Sequence, residues 1–199
     1  MRPAPRGLWK RSASAVLKIA NFGVLALLLT ALVVGQGTKD TTDIVTGIQQ
    51  RKIQVKVNGD GIERINVEVS RRAGSPPTIV RIPTGTLFAS GSGSVQSMVA
   101  TEPATADLSS TLSTVISVAV ACANMHLGVP DSDDTFTVQR APNQAELQTV
   151  LPVIARANPE YAVRQAAVWI ITDDADYDDL GTLVSGFGGF GGSREINHP

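Results

Sequence analysis

The chain has 199 residues, 43% of them hydrophobic and 18% charged, a composition typical of one globular domain with its own core. Its net charge of −1 hides an asymmetry, because five of the 17 basic residues lie within the first 18 positions, before any acid. Without those five, 12 basic residues stand against 18 acidic ones, a net charge of −6 that argues against a nucleic-acid-binding protein.

The basic head leads into an apolar run at positions 19–34, and small residues follow. This order is typical of a secretory signal, although the run is also only slightly short for a membrane span. Residues 1–35 are therefore predicted to be a signal peptide or an N-terminal membrane anchor. The rest of the protein is expected to be secreted or held at the extracellular surface, with membrane contact only through an uncleaved N-terminal segment.

Residues 36–50 are predicted to be a polar linker, and 51–140 to be rich in strands. Positions 52–57 and 65–69 alternate between polar and apolar residues, and the Asn-Gly-Asp-Gly sequence at 58–61 favours a hairpin turn between them. Short strands at regular spacing with Gly and Pro turns favour an antiparallel sandwich. Further strands are expected at 78–82, 85–89, 95–101, 111–121 and 135–139.

A helical pattern replaces the strands at 141–185. Asn143 and Glu146 have the spacing of a capping box at the start of a first helix, and Pro152 is predicted to kink or divide that helix. Asn158 and Pro159 are expected to start a second helix.

The expected fold class is therefore α+β. A β-rich antiparallel sandwich is followed by a small helical subdomain, after the N-terminal signal or anchor segment. The glycine-rich residues 186–199 are expected to be a disordered tail, because their composition cannot bury a core.

Cys122 is the only cysteine in the chain, and it follows an apolar predicted strand. Exported proteins normally use cysteines in pairs, so a lone one indicates an intermolecular bridge, an inert buried residue or a reactive group. Gln165 and Trp169 lie four positions apart on the second predicted helix, and therefore share one of its faces.

These residues resemble the thioester domains of Gram-positive surface adhesins. Those domains carry a Cys after an apolar strand and a Gln in a Thr-Gln-x-Ala motif that leads to Trp. The corresponding residues here are Cys122 and Gln165, with Ala167 and Trp169 completing the second motif and Asn124 following the cysteine. The resemblance implies that the Cys122 and Gln165 side chains join as an internal thioester, with loss of ammonia.

The resemblance covers roughly positions 85–185. The chain departs from the family pattern at Arg164, where the family has a threonine, and at Ala121, where a large residue is usual. A thioester carbonyl acylates an amine or hydroxyl of a partner and must be shielded from water. Trp169 is the candidate shield, and His126 is a candidate base for acyl transfer.

Two hypotheses about function follow. The first is an exported cell-surface or secreted binding protein that attaches covalently to an unknown extracellular protein or surface ligand through Cys122 and Gln165. The alternative is a non-reactive extracellular β-sandwich module, structural or interacting, that holds Cys122 and Trp169 in its core. An enzyme is not expected, because no nucleophile, base and acid set is evident.

Neither a metal nor a cofactor is expected. Acidic residues crowd 131–134 and 173–179, and carboxylates at alternate positions suit calcium, but the second cluster lacks the glycine and terminal glutamate of an EF-hand loop. A solvated helix end or a helix cap is the ordinary explanation of the second cluster, and calcium binding at either cluster is left open. Two histidines do not make a zinc site, and no phosphate-binding glycine loop is present.

Overall fold

The computed structural model describes residues 40–180 and the backbone of two short strands at 183–185 and 194–196. The described strands are β1 (Asp40–Asp43), β2 (Ile53–Gly59), β3 (Arg64–Arg71), β4 (Thr78–Ile82), β5 (Thr86–Ser90), β6 (Ser97–Ala100), β7 (Ala104–Asp107), β8 (Ser113–Ala123), β9 (Phe136–Arg140), β10 (Leu183–Ser185) and β11 (Arg194–Ile196). The described helices are α1 (Ile44–Gln49), α2 (Gln144–Ala157), α3 (Tyr161–Asp173) and α4 (Tyr177–Leu180).

Six strands form the larger sheet, in the order β2-β3-β8-β6-β5-β9, and each neighbouring pair is antiparallel. The sheet curls until its two edge strands meet at one end. There Asn58 forms a bridge with Thr135, and the Gly59 N–H donates to the Asp134 carbonyl at 3.0 Å. Only glycine fits at position 59, because a Cβ atom there would lie 1.9 Å from the Asp131 carbonyl oxygen.

A smaller sheet has the order β1-β4-β7. Strand β1 pairs with β4 in the parallel direction, and β4 pairs with β7 in the antiparallel direction. Helix α1 follows β1 directly, and the Asp43 side chain caps it by accepting from the Thr46 N–H at 3.1 Å. The main core contains apolar side chains from α1 and from strands of both sheets. Among its fully buried members are Ile44, Ile65, Val67, Val80, Ile82, Phe88 and Met98.

Helices α2 and α3 pack on the other side of the larger sheet and form a second core with it. This second core includes Val99, Ala121, Leu147, Leu151 and Val168. Burial of apolar side chains from β6, β8 and both helices holds the helical part against the sheet.

The predicted fold class is confirmed, because the structure is rich in strands, its sheets are largely antiparallel, and short helices follow them. The parallel pair of β1 and β4 is the exception that the sequence pattern did not indicate.

The prediction of a linker at 36–50 is wrong for its second half. Residues 40–49 form β1 and α1, and Ile44 and Val45 belong to the main core. The residues before position 44 are polar, and the sequence pattern was therefore interpreted as a linker. The helix had a local signal, because Ile44, Val45 and Ile48 follow a capping Asp43 at helical spacing.

Three expectations about the helices are also corrected. Pro152 does not divide helix α2, which continues through it, and the Asn143 side chain makes no cap hydrogen bond but donates to the Ile171 carbonyl on α3. Asn158 ends α2 in a left-handed conformation instead of starting α3, whose N-cap residue is Glu160.

The predicted tail at 186–199 and the predicted signal segment at 1–35 lie outside the described residues, with one exception. Strand β11, within the tail, pairs antiparallel with β10, so these three residues are not disordered as expected.

Candidate functional site at the end of strand β8

The site lies where strand β8 extends beyond the start of its neighbour β3. The pairing of β3 with β8 ends at Arg64 and Ala119, and one more backbone bond follows, from the Val120 N–H to the Glu63 carbonyl at 2.9 Å. Alternate residues of a strand direct their N–H and C=O groups to the same side. The backbone groups of Cys122 therefore face the same edge as those of Val120, where β3 no longer covers it.

The Gln165 side chain fills this gap. The Cys122 N–H donates to Gln165 Oε1 at 2.8 Å, and Gln165 Nε2 donates to the Cys122 carbonyl at 2.6 Å. The amide thus continues the hydrogen-bond ladder of the sheet, in the place that a residue of β3 would otherwise take. Both residues are nearly sealed from solvent, with exposed fractions of 3% for Cys122 and 5% for Gln165.

Tyr161 is the third member of the site, one helical turn before Gln165 on the same face of α3. Its hydroxyl lies 2.6 Å from Gln165 Oε1 and 2.8 Å from the Ile62 carbonyl oxygen. Two donors therefore converge on Gln165 Oε1, the Tyr161 hydroxyl and the Cys122 N–H. The ring is buried in the second core, which fixes the position of the hydroxyl.

Burial determines the protonation of the site. It raises the pKa of the Cys122 thiol to about 11, although a hydrogen bond with the Tyr161 hydroxyl opposes the rise. Burial also raises the pKa of Tyr161 far above its ordinary value. Both groups therefore keep their protons at neutral pH.

A second contact between α3 and the end of β8 comes from Asp173, the last residue of the helix. Its carboxylate accepts from the N–H groups of Asn124 and Met125 at 3.1 and 3.2 Å, and from the Thr172 hydroxyl at 2.6 Å. Asn124 has a left-handed backbone with φ of 66°, which turns the chain toward this carboxylate. Helix α3 therefore holds the end of β8 at two points, two helical turns apart.

The other predicted site residues are less closely involved. Trp169 is partly buried one turn beyond Gln165, and within the described part of the chain its indole N–H is buried without a hydrogen-bond partner. His126 is exposed in the turn after β8 and makes no hydrogen bond to Cys122 or Gln165. Arg164, at the threonine position of the family motif, forms an ion pair with Glu63 at 3.9 Å.

Several acidic side chains of the two clusters, Asp173 excepted, accept hydrogen bonds from the backbone of their own cluster. Asp131 and Asp134 accept from N–H groups within 131–134, and Asp176 and Asp179 do the same within 176–179. Across residues 40–180, no group of three or more His, Cys, Asp or Glu side chains is arranged to hold a metal ion.

Sequence reasoning named Cys122 and Gln165 but missed Tyr161 and Asp173. The position of Tyr161 four residues before Gln165 was the available signal, since that spacing places both on one helical face. Asp173 was assigned to a solvated cluster, and nothing local to it indicated a contact with a strand 49 residues away.

Comparison of the chain with protein families, with curated proteins and with solved structures found no match. Within the described residues, none of the helices has the length and apolar character needed to cross a membrane.

Proposed function

We propose that this protein is an exported cell-surface or secreted binding protein that attaches to its partner through a thioester between Cys122 Sγ and Gln165 Cδ. One observation carries the proposal. The side-chain amide of Gln165 is hydrogen-bonded at both ends to the backbone of Cys122, in a buried site. A sole cysteine and a buried glutamine are thereby held as immediate neighbours.

The chemistry needs no cofactor. The thiol sulfur attacks the amide carbon, a carbon–sulfur bond forms, the carbon–nitrogen bond breaks, and the thiol proton leaves with the nitrogen as ammonia. An amide is a poor electrophile, so fixed proximity and orientation must provide much of the acceleration. The two hydrogen bonds between Cys122 and Gln165 supply that orientation, and the Tyr161 hydroxyl donates to Gln165 Oε1.

Burial supports the second requirement, a long-lived thioester. A thioester open to water would hydrolyse before a partner arrived. Cys122 and Gln165 are almost inaccessible, because the Cys122 side chain lies in the main core and helices α2 and α3 cover the opposite face of this end of β8. Trp169, one turn beyond Gln165, is the proposed shield on the remaining side.

The partner in this proposal is an extracellular protein or surface ligand with a nucleophilic amine or hydroxyl. Its attack on the thioester carbonyl leaves Gln165 joined to the partner and frees the Cys122 thiol. The protein reacts once and is not an enzyme. Export would depend on residues 1–35, either cleaved as a signal or kept as the anchor.

A non-reactive extracellular module is the second candidate, and a specific observation favours it. The hydrogen bonds of Gln165 with the Cys122 backbone already complete the edge of β8, which is a sufficient structural reason for a buried glutamine. Burial also keeps the Cys122 thiol protonated, and a protonated thiol is a weak nucleophile.

The intact mass of the purified protein, before and after incubation with methylamine, separates the two candidates. A thioester predicts a mass short by one ammonia and no thiol that titrates in the native protein. Methylamine then adds its whole mass as an N-methylamide at Gln165, mapped by peptide digestion, so the product is heavier than the sequence by one methylene group, and the thiol is released.

Two variants serve as controls, Cys122→Ala and Gln165→Glu, and each is expected to have the full mass of its sequence. A wild-type mass equal to the sequence and unchanged by methylamine would reject the thioester and leave the non-reactive module.

A further inference from the structure

The carbonyl oxygen of Gln165 is held by donors on two sides. The Cys122 N–H lies 2.8 Å from Oε1 and the Tyr161 hydroxyl lies 2.6 Å from it. Attack on an amide or thioester carbonyl places negative charge on this oxygen, and donors already aimed at it stabilise that charge without reorganisation. A purely structural glutamine at the edge of a strand needs the N–H contact but has no need of the phenol.

We propose that Tyr161 is a catalytic residue that forms, with the Cys122 N–H, an oxyanion hole at Gln165 Oε1 for both the formation of the thioester and its transfer to an amine. The inference rests on the proposed function, since it concerns how the same carbonyl reacts.

The two steps share one intermediate geometry. In formation, the sulfur bonds to Cδ, the carbonyl electron pair moves onto Oε1, and collapse expels Nε2 with the thiol proton as ammonia. In transfer, an amine bonds to Cδ, the charge again rests on Oε1, and collapse expels the Cys122 sulfur, which takes a proton from the amine. The Cys122 N–H donates to Oε1 throughout, and the Tyr161 hydroxyl donates to it as the charge develops.

The surroundings of Tyr161 prepare its hydroxyl for this role. It carries one proton and has two acceptors within reach, Gln165 Oε1 and the Ile62 carbonyl at 2.8 Å. Charge developing on Oε1 draws that proton toward the reacting oxygen, while the buried ring keeps the hydroxyl in place. The Cys122 N–H bonds the same oxygen as the Tyr161 hydroxyl, so the residue that carries the thiol is adjacent to the donor.

The test compares Tyr161→Phe with Tyr177→Phe, which alters the only other tyrosine, an exposed one. The rate of methylamine addition is followed by mass spectrometry on molecules that hold the thioester. Loss of one oxyanion donor slows such reactions by about 10²-fold or more, so Tyr161→Phe should react about 10²-fold more slowly than wild type. Tyr177→Phe should react at the wild-type rate.

The direction of the change separates catalysis from packing. If Tyr161 only seals the site, Tyr161→Phe loosens it, and methylamine reacts at an unchanged or higher rate, which would overturn the inference. A folded Tyr161→Phe protein with the full mass of its sequence would support it, because formation uses the same donor. A wild-type protein without a thioester would reject the proposed function and this inference together.

A second measurement covers the case in which Tyr161→Phe does not fold. In the Tyr177→Phe background Tyr161 is the sole tyrosine, so fluorotyrosine incorporated in place of tyrosine alters this phenol alone. A more acidic phenol is a stronger donor, and methylamine addition should quicken as fluorines are added. Equal rates across the series would refute a role for the hydroxyl as an oxyanion donor.

Discussion

The two halves of strand β8 are completed in different ways. The first half pairs with β3 through backbone groups, and its outer face is open, with Val115 63% exposed. The second half extends beyond the end of its pairing with β3. Its outer face is covered by helices, with Ala121 fully buried, and a side-chain amide completes its edge.

The difference shows how one position can serve both the fold and a reaction. A backbone amide that pairs two strands cannot be exchanged without cutting the chain. The Gln165 amide makes equivalent hydrogen bonds to Cys122, but its nitrogen can leave as ammonia while the chain stays intact. The gap beside β8 therefore places an exchangeable amide where a sheet would otherwise hold an unreactive one.

The largest expected effect comes from removing that amide. In a Cys122→Ala background, which excludes any crosslink, Gln165→Ala leaves a buried N–H and a buried C=O of residue 122 unpaired. It should cost about 2–4 kcal/mol of unfolding free energy, measured by urea denaturation. Gln148→Ala, at an exposed position of α2, is the matched control and should stay within about 0.5 kcal/mol. Equal costs at the two positions would mean that Gln165 does not complete the strand.

A smaller effect is expected from enlarging a side chain on the outer face of β8. Ala121→Leu places extra volume beneath α2 and α3 and should destabilise the protein by about 1–3 kcal/mol. Val115→Leu changes the same face of the same strand where it meets solvent, and should stay within about 0.5 kcal/mol. Thermal unfolding of the two variants beside wild type checks this, and similar midpoints would show that the helices do not pack tightly on β8.

The smallest effect is a loss of stability at alkaline pH that depends on a free thiol. The pKa of Cys122 rises from 9.0 to about 11 on folding, so the protonated thiol favours the folded state below pH 9. That contribution is lost as the pH rises from 9 through 11, by about 1 kcal/mol at pH 10.

Urea midpoints between pH 8 and 10 measure this loss, and Cys122→Ser serves as the control because it removes the thiol and leaves burial, the main cause of the raised Tyr161 pKa, in place. A protein with the thioester has no thiol to titrate and should follow the Cys122→Ser variant. A wild-type protein that has the full mass of its sequence and still follows that variant would contradict the raised pKa.

Much of the fold could be predicted because its signals are local. The alternation in β2 and β3 and the turn between them are properties of adjacent residues, and so are the apolar periods of α2 and α3. Helix α1 was missed because its apolar stripe is only a turn and a half long and follows polar residues. The short strand β7 was missed because Ala104–Asp107 has only four residues, and alanine is their only apolar residue type.

The candidate site could be predicted only as a pair of residue types. A lone cysteine after an apolar strand and a glutamine ahead of a tryptophan pointed to Cys122 and Gln165. The manner of their contact could not be foreseen, because it depends on where β3 stops beside β8. The outcome at Pro152 also could not be predicted from local sequence, since helix packing overrides the tendency of this proline to divide α2.

The sequence by itself determined most of the strands, the hairpin and the two longer helices, because neighbouring residues decide these through backbone preference and hydrophobic period. Only the tertiary structure decided that Gln165 lies at the open edge of β8 and bonds Cys122, 43 positions away, with Tyr161 aimed at the same oxygen. A contact across that separation arises from packing α3 on the sheet, which buries the Cys122 backbone groups and makes it costly to leave them unpaired.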